Sequence, residues 1–211
     1  MKHRSGIHYS AFLCALLICA TPVAFAADNN LLKDAGFDMQ LPPDQGGWVL
    51  FDESQFSSDM ARSDGGSMFN WGFSRTVAFP PYLTGTVSGS YQELPARPGS
   101  RWRLTGYGAT LAPLRGATAF GIIQLSFFDA NGNDLGTVET AANKTPLAKT
   151  SNKINSLTPA GEWIFLDTGI ATAPANTAKI QAFTLYVDYS DSNTSQGVYF
   201  DDLSLTSLAD S

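Results

Sequence analysis

Apolar and polar residues alternate with a period of two along several short segments of the chain. In the clearest segment, Ile123, Leu125 and Phe127 share one face while Gln124 lies on the other. This spacing is typical of a β-strand that buries one face. The same reasoning predicts strands over residues 31–38, 48–52, 86–94, 102–111, 120–129, 134–139, 163–168, 178–188 and 197–206.

Turn residues separate these segments, and no stretch after the first 26 residues shows a helical period. Asn131-Gly132 is typical of a hairpin turn, because this pair tolerates the positive φ angles that such turns require. Many short strands joined by Gly, Pro and Asn turns predict an all-β sandwich or barrel. In segment 178–188 the larger apolar set, Phe183, Leu185 and Val187, is expected to face the core.

The first 26 residues are predicted to be a secretory signal peptide. Lys2 and Arg4 precede an apolar run over residues 11–20, and Ala24-Phe25-Ala26 is an A-x-A cleavage signal. The apolar run is too short to span a bilayer. We therefore expect cleavage after Ala26, a secreted or periplasmic protein, and a single domain over residues 27–211.

Removal of this segment would also remove both cysteines and both histidines of the chain. A Ser-His-Asp or Cys-His nucleophile and an ordinary zinc site are then excluded, because each needs imidazole or thiolate groups. The full chain has a formal net charge of −6 and no basic cluster, which disfavours a nucleic-acid partner. The remaining chemistry uses oxygen ligands, which suit Ca²⁺, and aromatic and amide groups, which suit polar ligands.

Asp201 and Asp202 interrupt the last predicted strand, in the segment VYFDDLSL. Adjacent strand residues point to opposite faces, so these two carboxylates cannot act together on one glycosidic bond. The alternation places Asp201 on the face of Tyr199, Leu203 and Leu205, which is expected to be buried. Asp202 is expected to be solvent-exposed. No spacing selects another catalytic pair, so no catalytic residue is predicted and we expect a protein that is not an enzyme.

Three segments resemble one family when they are taken in order. They are NLLKDAGFDMQLPPDQGGW near the mature N-terminus, YQELPARPGSRWRLTGYGAT in the middle, and the C-terminal EWIFLDTGIATAPANTAKIQAFTLYVDYSDSNTSQGVYFDDLSL. Together they are similar to secreted carbohydrate-binding modules of the fourth, ninth and twenty-second families. The resemblance implies a galactose-binding-domain-like jelly roll of two antiparallel sheets. It also implies a structural Ca²⁺ held by Asp38, the Gly36 carbonyl, Asp201 and a loop residue near Asp64.

Sugar-binding modules stack aromatic rings on the apolar faces of sugars and form hydrogen bonds with amide and charged groups. Tyr186 and Gln124 point away from the expected apolar faces of their strands, and with Tyr107 and Arg103 they would line an outer cleft. Trp71, in the segment FNWGF, is a further candidate. Its segment has loop composition, but residues 69–73 also alternate as a core-facing strand would, and both interpretations stay open.

The leading hypothesis is a secreted, non-catalytic β-sandwich that binds a polysaccharide or oligosaccharide and carries a structural calcium ion. No membrane span is expected, and a separate secreted enzyme or envelope component is a further candidate partner. The alternative is an extracellular structural or adhesion protein without sugar specificity. A polysaccharide lyase or glycoside hydrolase is ranked last.

Overall fold

The computed structural model describes residues 29–63, 65–72, 86–136, 149–189 and 195–208, which form ten β-strands. The strands are β1 (Val49–Phe51), β2 (Ser54–Ser57), β3 (Ser67–Gly72), β4 (Thr86–Pro95), β5 (Arg101–Ala109), β6 (Ala119–Phe128), β7 (Lys149–Thr150), β8 (Ile164–Thr172), β9 (Lys179–Asp188) and β10 (Gln196–Leu208).

The strands form two five-stranded antiparallel sheets. Sheet A has the order β1-β4-β9-β6-β7, and sheet B has the order β2-β3-β10-β5-β8. In the described residues the only helical element is a single 3₁₀ turn over Pro43–Gln45. No helix formed by these residues is long and apolar enough to cross a membrane. The predicted all-β sandwich of two antiparallel sheets is confirmed.

A continuous apolar core lies between the sheets. Trp48, Phe127 and Phe200 are among its largest members and are almost completely removed from solvent. Burial of a large apolar side chain contributes about 1.5–3 kcal/mol. Such contributions come from both sheets, so packing of sheet on sheet is the main source of stability.

The orientation of β9 is the reverse of the predicted one. Phe183 and Leu185 lie on the outer face of sheet A, whereas Ala182 and Thr184 face the core. The pairing with β6 explains this, because directly opposed residues in antiparallel strands project to the same face. Ala182 pairs with a core residue of β6, Leu125. The inward face of β6 therefore fixes the inward face of β9.

Strand β4 has an inverted pattern, with its polar set inside. Ser88, Ser90 and Gln92 are buried, whereas Val87 and Tyr91 lie on the outer face of sheet A. Each inward polar group has a hydrogen-bond partner. The Ser88 hydroxyl donates to a backbone carbonyl of β3, and Gln92 exchanges two hydrogen bonds with the backbone of Lys33. Burial of a polar side chain costs little free energy when its hydrogen bonds are formed. The polar set of β4 can therefore face the core, and its apolar set faces outward.

The predicted strand over residues 31–38 is wrong, because this segment forms tight turns. Asp34 and Phe37 have positive φ angles of 48° and 60°. The Asp34 carboxylate accepts hydrogen bonds from the backbone N–H groups of Met39 and Leu41, and its carbonyl accepts one from the Trp48 indole at 3.0 Å. The side chain of Asp34 thus replaces the partners that a strand would need.

Two smaller predictions also need correction. Asp134 forms one isolated bridge with Phe128 instead of beginning a strand, and residues 137–139 lie outside the described part of the chain. In the hairpin turn, Gly132 has a positive φ of 82°, but Asn131 does not. The Asp129 N–H donates to the Asn133 carbonyl, so the turn is longer than a two-residue loop.

The two ends of the described chain are hydrogen-bonded to each other. The Leu31 N–H donates to the Leu205 carbonyl at 2.9 Å, and the Leu203 N–H donates to the Ala35 carbonyl at 3.0 Å. The side chain of Asn30 bonds to the backbone of the same two residues of β10. The first segment therefore covers the part of β10 that β3 does not reach.

Strand β8 lies at the edge of sheet B, and a side chain caps part of that edge. The Asn152 amide donates to the Phe165 carbonyl at 3.0 Å and accepts from the Asp167 N–H at 3.3 Å. These are the two backbone groups that a neighbouring strand would use at this position.

Candidate functional site

The outer face of sheet A carries a row of aromatic and amide side chains across three strands. Tyr91 of β4 pairs with Phe183 of β9, which pairs with Gln124 of β6. The Tyr91 and Phe183 ring centroids lie 5.4 Å apart with a tilt of 41°. All three side chains are partly exposed. Outer faces of sheets are normally polar, so this apolar row is the candidate binding surface of sheet A.

Phe51 of β1 extends this row over a glycine. A Cβ atom at Gly89 would lie 2.7 Å from Phe51 Cζ and 2.9 Å from Leu185 Cδ2, so only glycine leaves space for the ring. The Phe51 ring lies 6.5 Å from that of Tyr91. Three aromatic rings from three strands therefore form one continuous surface, and Ile122 packs beside them.

Polar groups border the aromatic row at one end. Lys179 and Glu93 form an ion pair at 2.9 Å, and the Gln181 amide donates to the same carboxylate. Burial raises the pKa of Glu93, but the hydrogen bonds from Lys179 and Gln181 outweigh it, so its pKa lies below the ordinary value. At neutral pH this end presents an ordered set of amide, carboxylate and ammonium groups.

The predicted cleft of Tyr186, Gln124, Tyr107 and Arg103 is wrong, because these residues lie in three separate places. Gln124 lies on the outer face of sheet A, as predicted. Tyr186 faces the core and is fully buried, since it pairs with the inward-facing Gly121. Burial also raises the pKa of its hydroxyl. A side chain in this position cannot contact a ligand on the surface.

Tyr107 and Arg103 lie on the outer face of sheet B, on the opposite side of the molecule from Gln124. The Arg62 guanidinium lies over the Tyr107 ring, 3.5 Å from its centroid, so one face of the ring is occupied. Arg103 forms a two-point ion pair with Asp167, with Nε at 3.0 Å from Oδ1. Both side chains are therefore engaged within the protein.

Trp71 belongs to strand β3, and it faces outward from sheet B instead of lying in a loop or in the core. Its inward neighbours Met68 and Asn70 are fully buried, whereas Phe69 and Trp71 share the outer face. The Phe69 and Trp71 rings are nearly parallel, with centroids 6.5 Å apart. Residues 69 and 71 therefore alternate as a strand does, but Trp71 faces outward, as a surface residue would, and not toward the core.

Asp201 is fully buried, as predicted, but not among the core side chains. It pairs with Tyr107, on the outer side of sheet B, and the loop around Arg62 covers it. Its Oδ2 accepts hydrogen bonds from the Arg62 and Ser63 N–H groups at 2.7 and 3.3 Å, and its Oδ1 accepts from the Asp202 N–H. Burial raises the pKa of Asp201 to about 6 despite these donors.

A β-bulge separates Asp201 from the C-terminal part of β10. The register with β5 shifts between Asp201 and Ser204, and Asp202 has a positive φ of 49°. The bulge changes the alternation, so Leu203 faces the core while Asp201 does not. Asp201 therefore shares the face of Tyr199, as predicted, but this is the outer face, and the predicted grouping with Leu203 and Leu205 is wrong. Asp202, expected to be a solvated charge, is half-buried and bonded to Arg62 and Ser63.

Gly36, Asp38 and Asp201 lie close together, as the sequence resemblance implied. A Cβ atom at Gly36 would lie 2.9 Å from Asp38 Oδ2 and 3.8 Å from Asp201 Oδ1. Asp38 Oδ1 accepts two hydrogen bonds, from the Gly65 and Gly66 N–H groups. Asp64 lies outside the described residues. Within the described ranges, no group of three or more His, Cys, Asp or Glu residues could hold a metal ion.

Comparisons with known proteins identify the fold and no family. No family model and no curated protein matches the chain. The enzymatically active domain of bacteriophage CBA120 tailspike protein 4 matches 85% of this chain with 13% identity and a TM-score of 0.51. This chain spans only 21% of the tailspike chain.

Two carbohydrate-binding modules are also similar in structure. TmCBM61, solved with β-1,4-galactotriose, has 14% identity and a TM-score of 0.48, with 85% of this chain and 99% of that chain covered. The C-terminal family 22 module of Clostridium thermocellum Xyn10B has 14% identity and a TM-score of 0.46, over 76% and 85% of the two chains. At 13% identity the tailspike match shows the fold alone.

Proposed function

We propose that this protein is a non-catalytic carbohydrate-binding protein that holds an oligosaccharide or polysaccharide against the outer face of sheet A. The observation that carries the proposal is the row formed by Tyr91, Phe183 and Gln124. Aromatic rings can pack against the apolar faces of sugar rings, and an adjacent amide can both donate and accept hydrogen bonds with hydroxyl groups.

The inverted pattern of β4 supports a functional reason for this surface. Ser88 and Ser90 occupy the core side, where apolar residues would normally contribute more stability. Placing Tyr91 and Val87 outward gives up that contribution, and a ligand-binding role explains the arrangement. The resemblance of the sequence to carbohydrate-binding modules is consistent with the same role.

Binding assays with matched aromatic variants test the proposal. A panel of neutral and acidic oligosaccharides would be titrated by calorimetry against the protein, Phe183→Ala and Tyr91→Ala. Loss of one stacked ring should cost about 0.5–1.5 kcal/mol, which weakens Kd by roughly 2- to 12-fold. Phe165→Ala is the control, because Phe165 is an aromatic residue with 48% exposure on the other sheet. Failure of the folded protein to bind any glycan would refute the proposal.

A protein-interaction role is the second candidate. Ile122, Leu185 and Val187 form a buried aliphatic cluster on the same face. Partly exposed apolar side chains such as Phe51, Phe120 and Phe183 pack against it, and apolar centres are typical of protein interfaces. Sedimentation analysis separates the two functions. Self-association that Phe183→Ala abolishes, together with no glycan binding, would favour the interface.

A structural calcium ion is part of the proposal. Asp38 and Asp201 provide carboxylate oxygens beside the Gly36 backbone, and an all-oxygen donor set suits this hard cation. A bound cation would also offset the cost of burying the Asp201 charge. Asp64 completes the proposed ligand set.

Chelation tests the calcium ion directly. EDTA should lower the melting temperature of the wild-type protein, and Asp201→Ala should abolish the difference, because a ligand that binds only the folded state stabilises it. Asp44→Ala, at an exposed position in the 3₁₀ turn, is the control and should keep the EDTA effect. An identical wild-type melting curve with calcium and with EDTA would rule out the site.

We also propose that the protein is exported by a signal peptide over residues 1–26. N-terminal sequencing of protein recovered from the periplasm and the medium should give a chain that begins at Ala27. Recovery of the unprocessed chain in the cytoplasm alone would contradict export.

A further inference from the structure

A pocket of about 470 Å³ lies on the outer face of sheet B, on the opposite side of the molecule from the proposed glycan surface. Phe69 and Tyr199 form one side, and the loop over residues 110–115 forms the other. We call it the sheet B pocket. Its volume is within the range of about 300–1,000 Å³ that is usual for small-ligand sites.

The aromatic side of the pocket is built by close packing between β3 and β10. The Phe69 and Tyr199 rings stack with centroids 4.4 Å apart, and the Trp71 ring is nearly parallel to the Phe69 ring at a centroid distance of 6.5 Å. A Cβ atom at Gly197 would lie 2.7 Å from Phe69 Cε2 and 2.6 Å from Trp71 Cβ. Glycine at this position is therefore required for these rings to lie side by side.

The loop side of the pocket is fixed by hydrogen bonds to β10 and within the loop. The Gln196 amide accepts from the Arg115 N–H at 2.6 Å and donates to the Arg115 carbonyl at 3.1 Å. The Thr110 hydroxyl bonds to the Ala112 carbonyl at 2.6 Å. Because the loop is already ordered, a ligand would lose little free energy in ordering it.

Arg115 gives the pocket a positive charge. Among the residues that the structure describes, Arg115 forms no ion pair, and its hydrogen bonds to Gln196 use only backbone groups. The chain carries a formal net charge of −6, so this guanidinium is a cationic group on a negatively charged molecule. Guanidinium groups bind carboxylates through two parallel hydrogen bonds.

We propose that the sheet B pocket binds one acidic sugar unit, a pyranose ring that carries a carboxylate. The ring packs between Phe69 and the exposed side chain of Leu111, and the carboxylate pairs with Arg115. The Ser195 hydroxyl, which also lines the pocket, is available to a sugar hydroxyl. This site is separate from sheet A, so it does not depend on the proposed function.

NMR titration of the ¹⁵N-labelled protein tests the proposal, with glucuronic acid, digalacturonic acid, the carboxyl-reduced disaccharide and benzoate as probes. The acidic sugars should shift the amide signals of Leu111, Arg115 and Gly197. Arg115→Gln should weaken their binding at least fivefold, and Arg97→Gln, an exposed charge change away from the pocket, should not. Binding of the acidic sugars should also weaken as salt is added.

Three results would overturn the proposal. Equal binding of the carboxyl-reduced disaccharide would remove the role of the charge, and equal or tighter binding of benzoate would remove the sugar assignment. Acidic sugars that shift only signals around Gln124 and Phe183 would place their site on sheet A. That last result would leave the proposed function intact. Shifts at Gly197 without any shift on sheet A would instead support the sheet B pocket and not the proposed function.

Discussion

The buried carboxylate of Asp201 makes the stability of the protein in EDTA depend on pH in an unusual direction. Burial raises its pKa from the ordinary 3.8 to about 6, so the folded state binds this proton more tightly than the unfolded state. The stabilisation that comes from protonating Asp201 in the folded state is therefore fully present below pH 3.8 and is lost as pH rises through 6. The full difference corresponds to about 3 kcal/mol, at about 1.4 kcal/mol per pKa unit.

Asp201→Asn isolates this effect, because asparagine does not titrate. Three backbone N–H groups donate to the Asp201 carboxylate. The amide nitrogen of the asparagine cannot accept such a hydrogen bond, so the variant loses a part of its stability that does not change with pH. When the pH is lowered from 7.5 to 5 in EDTA, the free energy of unfolding of the wild type should increase by about 1.4 kcal/mol relative to that of the variant.

Urea denaturation followed by tryptophan fluorescence at pH 7.5, 6 and 5 measures the two free energies of unfolding. Taking the difference between wild type and variant cancels the other titrating groups. A difference that stays constant across this pH range would refute the reasoning, since it would show that burial does not perturb Asp201. If the proposed calcium ion binds, saturating calcium should reduce the gain at low pH, because a bound cation favours the ionised carboxylate.

Three further predictions concern packing and one surface ion pair. Gly197→Ala should lower the free energy of unfolding, measured by urea denaturation, by about 1–3 kcal/mol, because the added Cβ would lie 2.5 Å from a backbone oxygen. The control Gly65→Ala should be nearly neutral, because its Cβ would have no atom within 4 Å. Equal effects of the two substitutions would contradict the packing argument. Trp48→Phe should lower the free energy of unfolding by about 1–3 kcal/mol, because it removes a buried indole hydrogen bond and volume, and an unchanged melting temperature would count against this. Arg103→Gln should cost less than about 1 kcal/mol, because its ion pair with Asp167 is partly exposed; a larger loss would show that the pair is more than a surface contact.

The position of most strands could be predicted from the sequence, but the inward face of several could not. In β6, Ile123, Leu125 and Phe127 stand opposite Gln124, and the predicted inward face is confirmed. Both alternate sets of β9 contain apolar residues, so its pattern does not identify the inward set. The decision comes from pairing with β6, which is a tertiary contact that one strand's sequence does not contain.

The candidate site was predictable only in part for the same reason. Gln124 lies where the alternation predicts it, on the outer face of sheet A. Its neighbour Phe183 lies on the face opposite to the predicted one, and the alternation alone gives no signal for Tyr91. Ser88 and Ser90 in β4 are the one sequence signal for this surface. Both are buried and hydrogen-bonded inside the sandwich, which leaves the alternate residue Tyr91 on the outer face. The grouping of Asp201 with Leu203 failed because a bulge changes the alternation, and period-two reasoning assumes a regular strand.

The amide of Asn152 has a consequence for how the protein behaves at high concentration. An uncapped edge strand can pair with the same strand of another molecule and begin an aggregate. Asn152 occupies the Phe165 carbonyl and the Asp167 N–H, so an incoming strand must first displace it. The capped groups lie near the start of this nine-residue edge strand, so a single amide side chain protects that part of the edge of sheet B.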